Sequence, residues 1–447
     1  MRKRFNKALA ATLSAVMVIS LAACGSSNST TSDTTKENTT EAATENAGDT
    51  EVRGKTMKVM ISEEPGEGNA LKNALDKWAA ESGNSYETII LSNDDQKTKF
   101  PAMAKNKDLP DLISTVGIHQ LYPEEFVDMS TVVDISLFEE TPLNIIGKAF
   151  TEDVYSGLPV QFTTTSFYYN EDLFAEAGIE APTAENPWTI DQLYENAALL
   201  QEKTGVKYGF AADVSRARYD ILMYANGGSL VQKDGDSFKI TLNSAMNVDT
   251  LTKFVKANED GVMPKAIWAG ATTDNPVEYF KNGDAAILLS GSWNYNTFAT
   301  EISSFEFGIM TSPTGTVSRS AIISGGALAV PTNADNSDVA LDFIKWLYTE
   351  ENFKTYLQND KGLSSMKNVI YEPESEKARV DFEMLQDEVK QVTDTFEVDE
   401  SSSWRVYKDA EYRDTLKRAV SGELTPQEAL DSFAKELSEE SGWTIAE

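Results

Sequence analysis

The chain has 447 residues, 41% hydrophobic, 25% charged and 10% aromatic, which is length and apolar content enough for two domains with their own cores. Its 39 basic and 71 acidic residues leave a formal charge of −32, without the basic excess that tracks a phosphate backbone, so no nucleic-acid partner is expected. A single cysteine allows no internal disulfide, and stability must come from packing.

In chain order, Arg2, Lys3, Arg4 and Lys7 form a positive start, followed by an apolar run from Ala8 to Ala23 that is too short for a comfortable membrane span. Residues 1–23 therefore read as a secretory signal peptide. The one cysteine, Cys24, follows Leu21-Ala22-Ala23, and this resembles the bacterial lipobox, so lipidation is expected there. Acyl chains on Cys24 would anchor the protein without a transmembrane helix. An incidental buried thiol is the alternative. Residues 24–54 are rich in Ser, Thr, Asn and Glu and lack aromatic residues, which predicts a solvated, disordered tether. Anchor and tether together place the globular part at the extracytoplasmic face of the cell membrane.

From residue 57 strands and helices alternate. Met57–Ile61 reads as a strand, residues 71–78 as a helix with Leu71, Ala74, Leu75 and Trp78 on one face, and Tyr86–Leu91 as the next strand. This β-α-β order predicts a parallel, helix-covered sheet. Thr189 with Gln192 forms a capping box ahead of a stripe of Ile190, Leu193, Ala197 and Leu200, ended by Gly205. A second helix starts at Ser337 with Ala340, Phe343, Ile344 and Leu347 inward. A third has Thr425 as cap, Pro426 at its first position and Glu428 closing the box. Residues 285–289 are a buried strand that stops at Ser290-Gly291-Ser292, with Trp293 just behind. Ligands of open α/β sheets lie beyond the carboxyl ends of strands. That rule points to residues 62–68, 114–119, 161–166, 290–293 and 324–326.

Catalytic and metal motifs are scarce. His119 is the only histidine, no Gly-x-Ser-x-Gly elbow or phosphate-cradling loop occurs, and the set of N and S ligands that zinc needs is missing. Asp234-Gly235-Asp236 and Asn93-Asp94-Asp95 lack full calcium-loop spacing and read as solvated turns. No metal or cofactor is expected, and no catalytic residue is assigned. A carboxylate pair serving a glycosidase stays open as the enzyme alternative, since sequence cannot show a separation.

Leu158-Pro159 followed by FYYNEDLFAEAGIEAPTAENPWTIDQLYENAALL (167–200) resembles the signature of the family 1 extracellular solute-binding proteins, the carbohydrate receptors of ABC importers, similar to the maltodextrin-binding protein. LPDLIST (109–115), YANGGSLV (224–231), YFKNGDAAILLSGSW (279–293), ISGGALAVP (323–331), ALDFIKWLYTEENFKTYL (340–357) and SGELTPQEALDSF (421–433) follow in the same order. The resemblance spans about residues 57–438. It implies an α/β, two-lobe periplasmic-binding-protein-like fold of type II, each lobe a helix-covered sheet built from discontinuous segments and joined by a hinge. Lobe one would take residues 55–165 and 325–370, and lobe two 166–324 and 371–447. The implied function is capture of a carbohydrate, an oligosaccharide by expectation, with hinge closure and delivery to permease subunits by a monomer that is not an enzyme. A receptor of the same fold for a non-sugar solute is the closest alternative.

Sugars offer hydroxyls and flat C–H faces, so such a receptor needs exposed rings beside carboxylates and amides. The resemblance puts a stacking ring at Trp293 and a second ligand-facing ring near Trp404, where Tyr407 competes. Trp268 is a weaker aromatic candidate. Tyr219 and Arg218 stand ahead of the Gly227-Gly228 turn in a cleft-lining segment, although Arg218 suits a surface ion pair equally well. Thr115 and His119 follow the Pro110-Asp111 strand. Glu64 could bind hydroxyls after the first strand, and Gln161 and Thr163 share a strand face by period-two spacing. Asp111, Trp78, Trp188 and Trp346 are read as structural.

Overall fold

A computed structural model describes residues 53–446 except 67, 151 and 403, and only the backbone within 405–410. The signal segment 1–23, Cys24 and the tether up to residue 52 lie outside the described residues, as does the side chain of Tyr407. The described strands are β1 (Thr56–Ile61), β2 (Ser85–Ile90), β3 (Leu112–Thr115), β4 (Leu158–Asn170), β5 (Tyr208–Ala212), β6 (Val231–Asp234), β7 (Ser237–Ile240), β8 (Ala285–Gly291), β9 (Phe307–Met310), β10 (Ile323–Ala329) and β11 (Thr444–Ile445).

Alternation along β1 sends Met57, Val59 and Ile61 into one core and Met60 into another on the opposite face. The same split recurs at Leu112 and Ile113 in β3 and at Leu328 and Ala329 in β10. Helices Ala70–Ser82, Ser337–Leu347 and Glu350–Asp360 cover the first face, contributing Leu75, Trp78, Phe343 and Phe353. Phe100 of helix Asn93–Asn106 helps cover the second. A separate core holds the second lobe. It gathers β8, buried along its whole length, with Phe167, Phe210, Leu193 and the carboxyl-terminal helices.

The expected parallel sheet is corrected to a mixed one. β1 pairs in parallel with β2 and β3, and β5 with β8, but β10 runs antiparallel to β3 and β4, and β4 antiparallel to β8 and β9. The reason lies in β4 and β10. The thirteen-residue β4 pairs with β10 over residues 158–164 and with β8 over residues 165–169, so one strand serves both lobes. Its buried side chains change core accordingly, from Leu158 and Val160 in the first lobe to Phe162, Phe167 and Tyr168 in the second. β10 carries the chain back against it. A register shift at Gly326/Ala327 marks their ladder, and a Cβ on Gly325 would stand 2.2 Å from the Gln161 carbonyl oxygen.

The three expected helices form, two of them where their caps place them, while helix Ser337–Leu347 starts without a side-chain cap. Helix Ile190–Thr204 opens on a full Thr189–Gln192 capping box and ends at Gly205 with φ 73°, and helix Pro426–Ser441 opens on the Thr425–Glu428 box. Each cap contributes about 1 kcal/mol. Asp234-Gly235-Asp236 is a turn, joining β6 to β7, whereas Asn93-Asp94-Asp95 is the first turn of a helix capped by Ser92. Acidic residues there complement the helix dipole.

Candidate functional site

Trp293 follows β8 in a short helical turn, Ser292–Asn294. Its residue is 53% exposed, whereas each of the other six tryptophans is buried or half-buried. The ring folds back over Gly291, where a Cβ would lie 1.7 Å from the indole Cζ3, so only glycine admits this rotamer. The Arg218 guanidinium stands 5.1 Å from the ring centroid, a cation–π contact worth about 0.5–2 kcal/mol. Arg218 is itself buried, and its Nε and Nη2 donate to Asp213 Oδ2 at 3.4 and 3.3 Å. Asp213 also accepts from Ser290 Oγ, which in turn accepts from Asn294 Nδ2 at 2.7 Å. Burial pulls the Arg218 pKa down and Asp213 opposes that pull. The indole is thus packed against Gly291 and Arg218 while about half of its residue stays exposed.

Trp293 borders a cavity of about 540 Å³ also lined by Thr163–Thr165 of β4, Ile322–Ser324, Asp94, Arg216, Arg218 and Arg413. Ile323 and Ser324 also line a second cavity of about 330 Å³, between Gly117, Tyr122 and Phe150 on one side and Glu400 and Trp404 on the other. Gln120, Ile145, Phe150 and Glu400 carry it on into a third, of about 810 Å³. Three adjoining spaces therefore run along the line where the two lobes face each other. Four of the five segments singled out beyond strand ends meet here, since 163–165, 293 and 324 share the first cavity and 116–117 shares the second with 324–325, whereas residues of 62–68 line only a separate pocket of about 140 Å³.

The predicted residues divide. Trp293, Arg218 and Thr163 line the first cavity, and Thr163 Oγ1 donates to the Ser324 carbonyl at 3.2 Å. Arg218 is a buried partner of Asp213 rather than a surface pair. Trp404 lines the second cavity but is fully buried, edge-on to Tyr412 at 5.5 Å and with the Arg216 guanidinium 5.0 Å from its ring centroid. Its Nε1 has no hydrogen-bond partner. Gln161 is exposed and lines a smaller pocket of about 140 Å³ with Ser62, Glu63 and Ser114. Glu64 is exposed and lines none of these spaces.

Four expectations need correction. Trp268 is fully buried against Phe254 and its Nε1 donates to the Ala212 carbonyl at 3.1 Å. Tyr219 is also fully buried and donates to the Asn247 carbonyl at 3.0 Å. Both are core side chains whose polar atoms the backbone already satisfies. His119 is fully buried, and its Nε2 lies 2.7 Å from the Ile146 carbonyl oxygen, which makes that nitrogen the donor. Burial holds its pKa down, at about 4. Thr115 is 2% exposed with Oγ1 unpartnered, and faces inward. Asp111 is structural as read, accepting from Lys58 N and Asn336 N at 2.7 Å each.

Sequence reasoning missed Arg216, Arg413 and Asp94. Arg216 bridges Asp220 at 2.8 Å and Glu400 at 2.7 Å beneath Trp404. Burial raises the Asp220 pKa to about 6, with Arg216 opposing. A signal was present, because Arg216 and Arg218 occupy the first turn of helix Arg216–Ala225, where the dipole disfavours cations. Among the described residues no cluster of His, Cys, Asp or Glu is arranged to hold a metal, and no helix is long and apolar enough to cross a membrane.

Comparison with known proteins places this geometry. The family described as bacterial extracellular solute-binding proteins matches residues 62–352. A binding protein of Brucella abortus (strain 2308) is 24% identical over 209 residues, 46% of this chain and 49% of the relative, so the chain spans about half that relative's length. The galactooligosaccharide-binding protein of Bacillus subtilis (strain 168) is 26% identical over 292 residues, 62% of this chain and 64% of the relative. Among solved structures, the sugar-binding protein MalE from Xanthomonas citri superimposes with TM-score 0.71 at 16% identity, covering 87% of this chain and 97% of the other. The substrate-binding protein Lmo0181 from Listeria monocytogenes, solved with cycloalternan, gives 0.68 at 20% identity over 87% and 100%. The fold is thus the two-lobed mixed α/β fold of maltose-binding-protein-like receptors, and the chain belongs to the bacterial extracellular solute-binding proteins.

Proposed function

We propose that this protein is the lipid-anchored receptor of an ABC importer, tethered through Cys24 at the outer membrane face, and that it captures an oligosaccharide between its lobes. The observation that carries this reading is Trp293, a half-exposed ring packed against Gly291 and Arg218 and bordering a cavity of about 540 Å³ with polar walls. A pyranose C–H face against that ring, with hydroxyls toward Thr163 and Ser324, uses what the cavity offers. Adjoining cavities along the same line suit several sugar units rather than one. The name of the galactooligosaccharide-binding relative supports the same class of ligand.

In this reading the lobes, residues 55–165 with 325–370 and residues 166–324 with 371–447, close by bending where β4 passes between them. A ligand that touches both walls binds the closed form better and shifts the population toward it. The closed form then docks on the permease and releases its cargo with no covalent step.

A thermal-shift and calorimetric screen against linear gluco-, galacto-, xylo- and arabino-oligosaccharides tests the reading. A cognate ligand at a hundredfold excess over its Kd adds about 2.7 kcal/mol to stability. Trp293→Ala should lose at least about tenfold in affinity while keeping its circular dichroism, since the ring stands outside the core. Absence of any saccharide response, or full affinity in Trp293→Ala, would overturn the proposal.

A further inference from the structure

The walls of the first cavity are electrically unlike the rest of the chain. A protein of formal charge −32 lines this space with three arginines, Arg216, Arg218 and Arg413, against one carboxylate, Asp94. Residues 215–218, the whole start of helix Arg216–Ala225, border it. No side chain caps that helix: Ser215 sits at the N-cap position without a side-chain hydrogen bond. Arg218 N donates to the Ser215 carbonyl at 3.0 Å, so what this helix start offers is its earlier backbone N–H groups and the positive end of the dipole. Two guanidinium groups placed in such a first turn cost stability, which the carboxylates of Asp220, Glu400 and Asp213 offset in part.

The individual arginines differ in how far they are neutralised. Arg216 is satisfied by Asp220 and Glu400 and serves the wall under Trp404. Arg218 is only 4% exposed and spends Nε and Nη2 on Asp213 at 3.4 and 3.3 Å, long for charge-assisted bonds, while its Nη1 has no partner. Asp213 is moreover shared with Ser290. Arg413 is exposed and has no ion-pair or hydrogen-bond partner among the described residues. A buried guanidinium with a spare donor, a free one on the facing element and an uncapped helix start thus converge on one space.

We propose that this cavity is an anion seat and that the preferred ligand is a saccharide bearing an acidic group, a carboxylate or a phosphate, held between Arg218, Arg413 and the start of helix Arg216–Ala225 while its ring lies on Trp293. The proposal rests on the saccharide reading above and sharpens it to an acidic sugar. Asp94 is the opposing charge, and it sets against ligands that carry more than the seat can neutralise.

The test compares matched ligands by calorimetry on the whole protein. Trigalacturonic acid is set against its methyl ester, glucuronosyl-substituted xylotriose against xylotriose, and glucose 6-phosphate against glucose. One ionised partner is expected to favour the acidic member by about 10- to 100-fold. The pair that shows the larger preference tells carboxylate from phosphate. Arg413→Gln should collapse that preference. Asp94→Asn should raise affinity for the acidic member severalfold, a gain that a folding defect cannot imitate. Equal or tighter binding of the neutral members, unchanged by Arg413→Gln, overturns the anion seat and leaves the oligosaccharide receptor standing. No binding of any member, together with silence in the neutral screen, overturns both.

Discussion

The sole histidine gives a sharp test of the packing, because one imidazole means one pair of ring C–H resonances and one titration. His119 has no charged neighbour acting on it. Burial alone drives its pKa from 6.5 to about 4, opposed only by the hydrogen bond to Ile146. Since the folded pKa is depressed, the contribution is fully present above the unfolded value of about 6.5 and is lost as pH falls toward 4. A gap of that size corresponds to about 3 kcal/mol between the plateaus, and to about 2 kcal/mol at pH 5. The perturbation is His119→Gln, whose amide can still donate to the Ile146 carbonyl but carries no charge. Urea unfolding from pH 4 to 8 should show the wild-type protein losing this amount relative to its own value at pH 7.5, with the variant's curve flatter by the same amount. Proton NMR of the imidazole in the folded protein should show no titration above pH 5. An imidazole that titrates near 6.5, or two parallel stability curves, would refute the argument from burial.

Two further outcomes are expected. Gly291→Ala puts a Cβ where the Trp293 ring now lies, so the ring must leave Arg218; ligand affinity should fall about as far as in Trp293→Ala, about tenfold or more, with altered tryptophan emission. Wild-type affinity in Gly291→Ala would show that the folded-back ring is not the binding rotamer. Cys24→Ser should move the protein from the membrane fraction to the medium in its native host and abolish incorporation of labelled palmitate. Retention at the membrane would point to another anchor.

What the sequence carried most clearly was local. Capping boxes at Thr189 and Thr425 announced helix starts because their hydrogen bonds lie within three residues. Alternation in β1 and the unbroken apolar run of β8 announced strands for the same reason. Strand direction was not legible, since whether β10 runs with or against its neighbours depends on how the chain returns from the second lobe, a fact of long range. The same division holds at the site. That Trp293 stands outside the core could be read from a glycine–serine strand end followed at once by a large ring. Trp268 and Tyr219 look identical in type, and only the distant Ala212 and Asn247 carbonyls that accept their donors show them to be core. Arg413 joins the cavity from 195 positions beyond Arg218, and no periodicity links the two.

The sharing of β4 between lobes has a consequence for the order in which a ligand is read. A strand laddered on both sides bends by small twists distributed over many bonds, so the residues at its midpoint travel least as the walls approach. Thr163–Thr165 occupy that midpoint, and Arg218 and Trp293 stand beside them in the same cavity. On the closure proposed above these groups would move least, whereas the space between Tyr122 and Trp404 would take its width from how far the lobes come together. Under that proposal recognition would be staged: the group nearest the pivot is inspected on arrival, and the remainder of the saccharide only as the walls close.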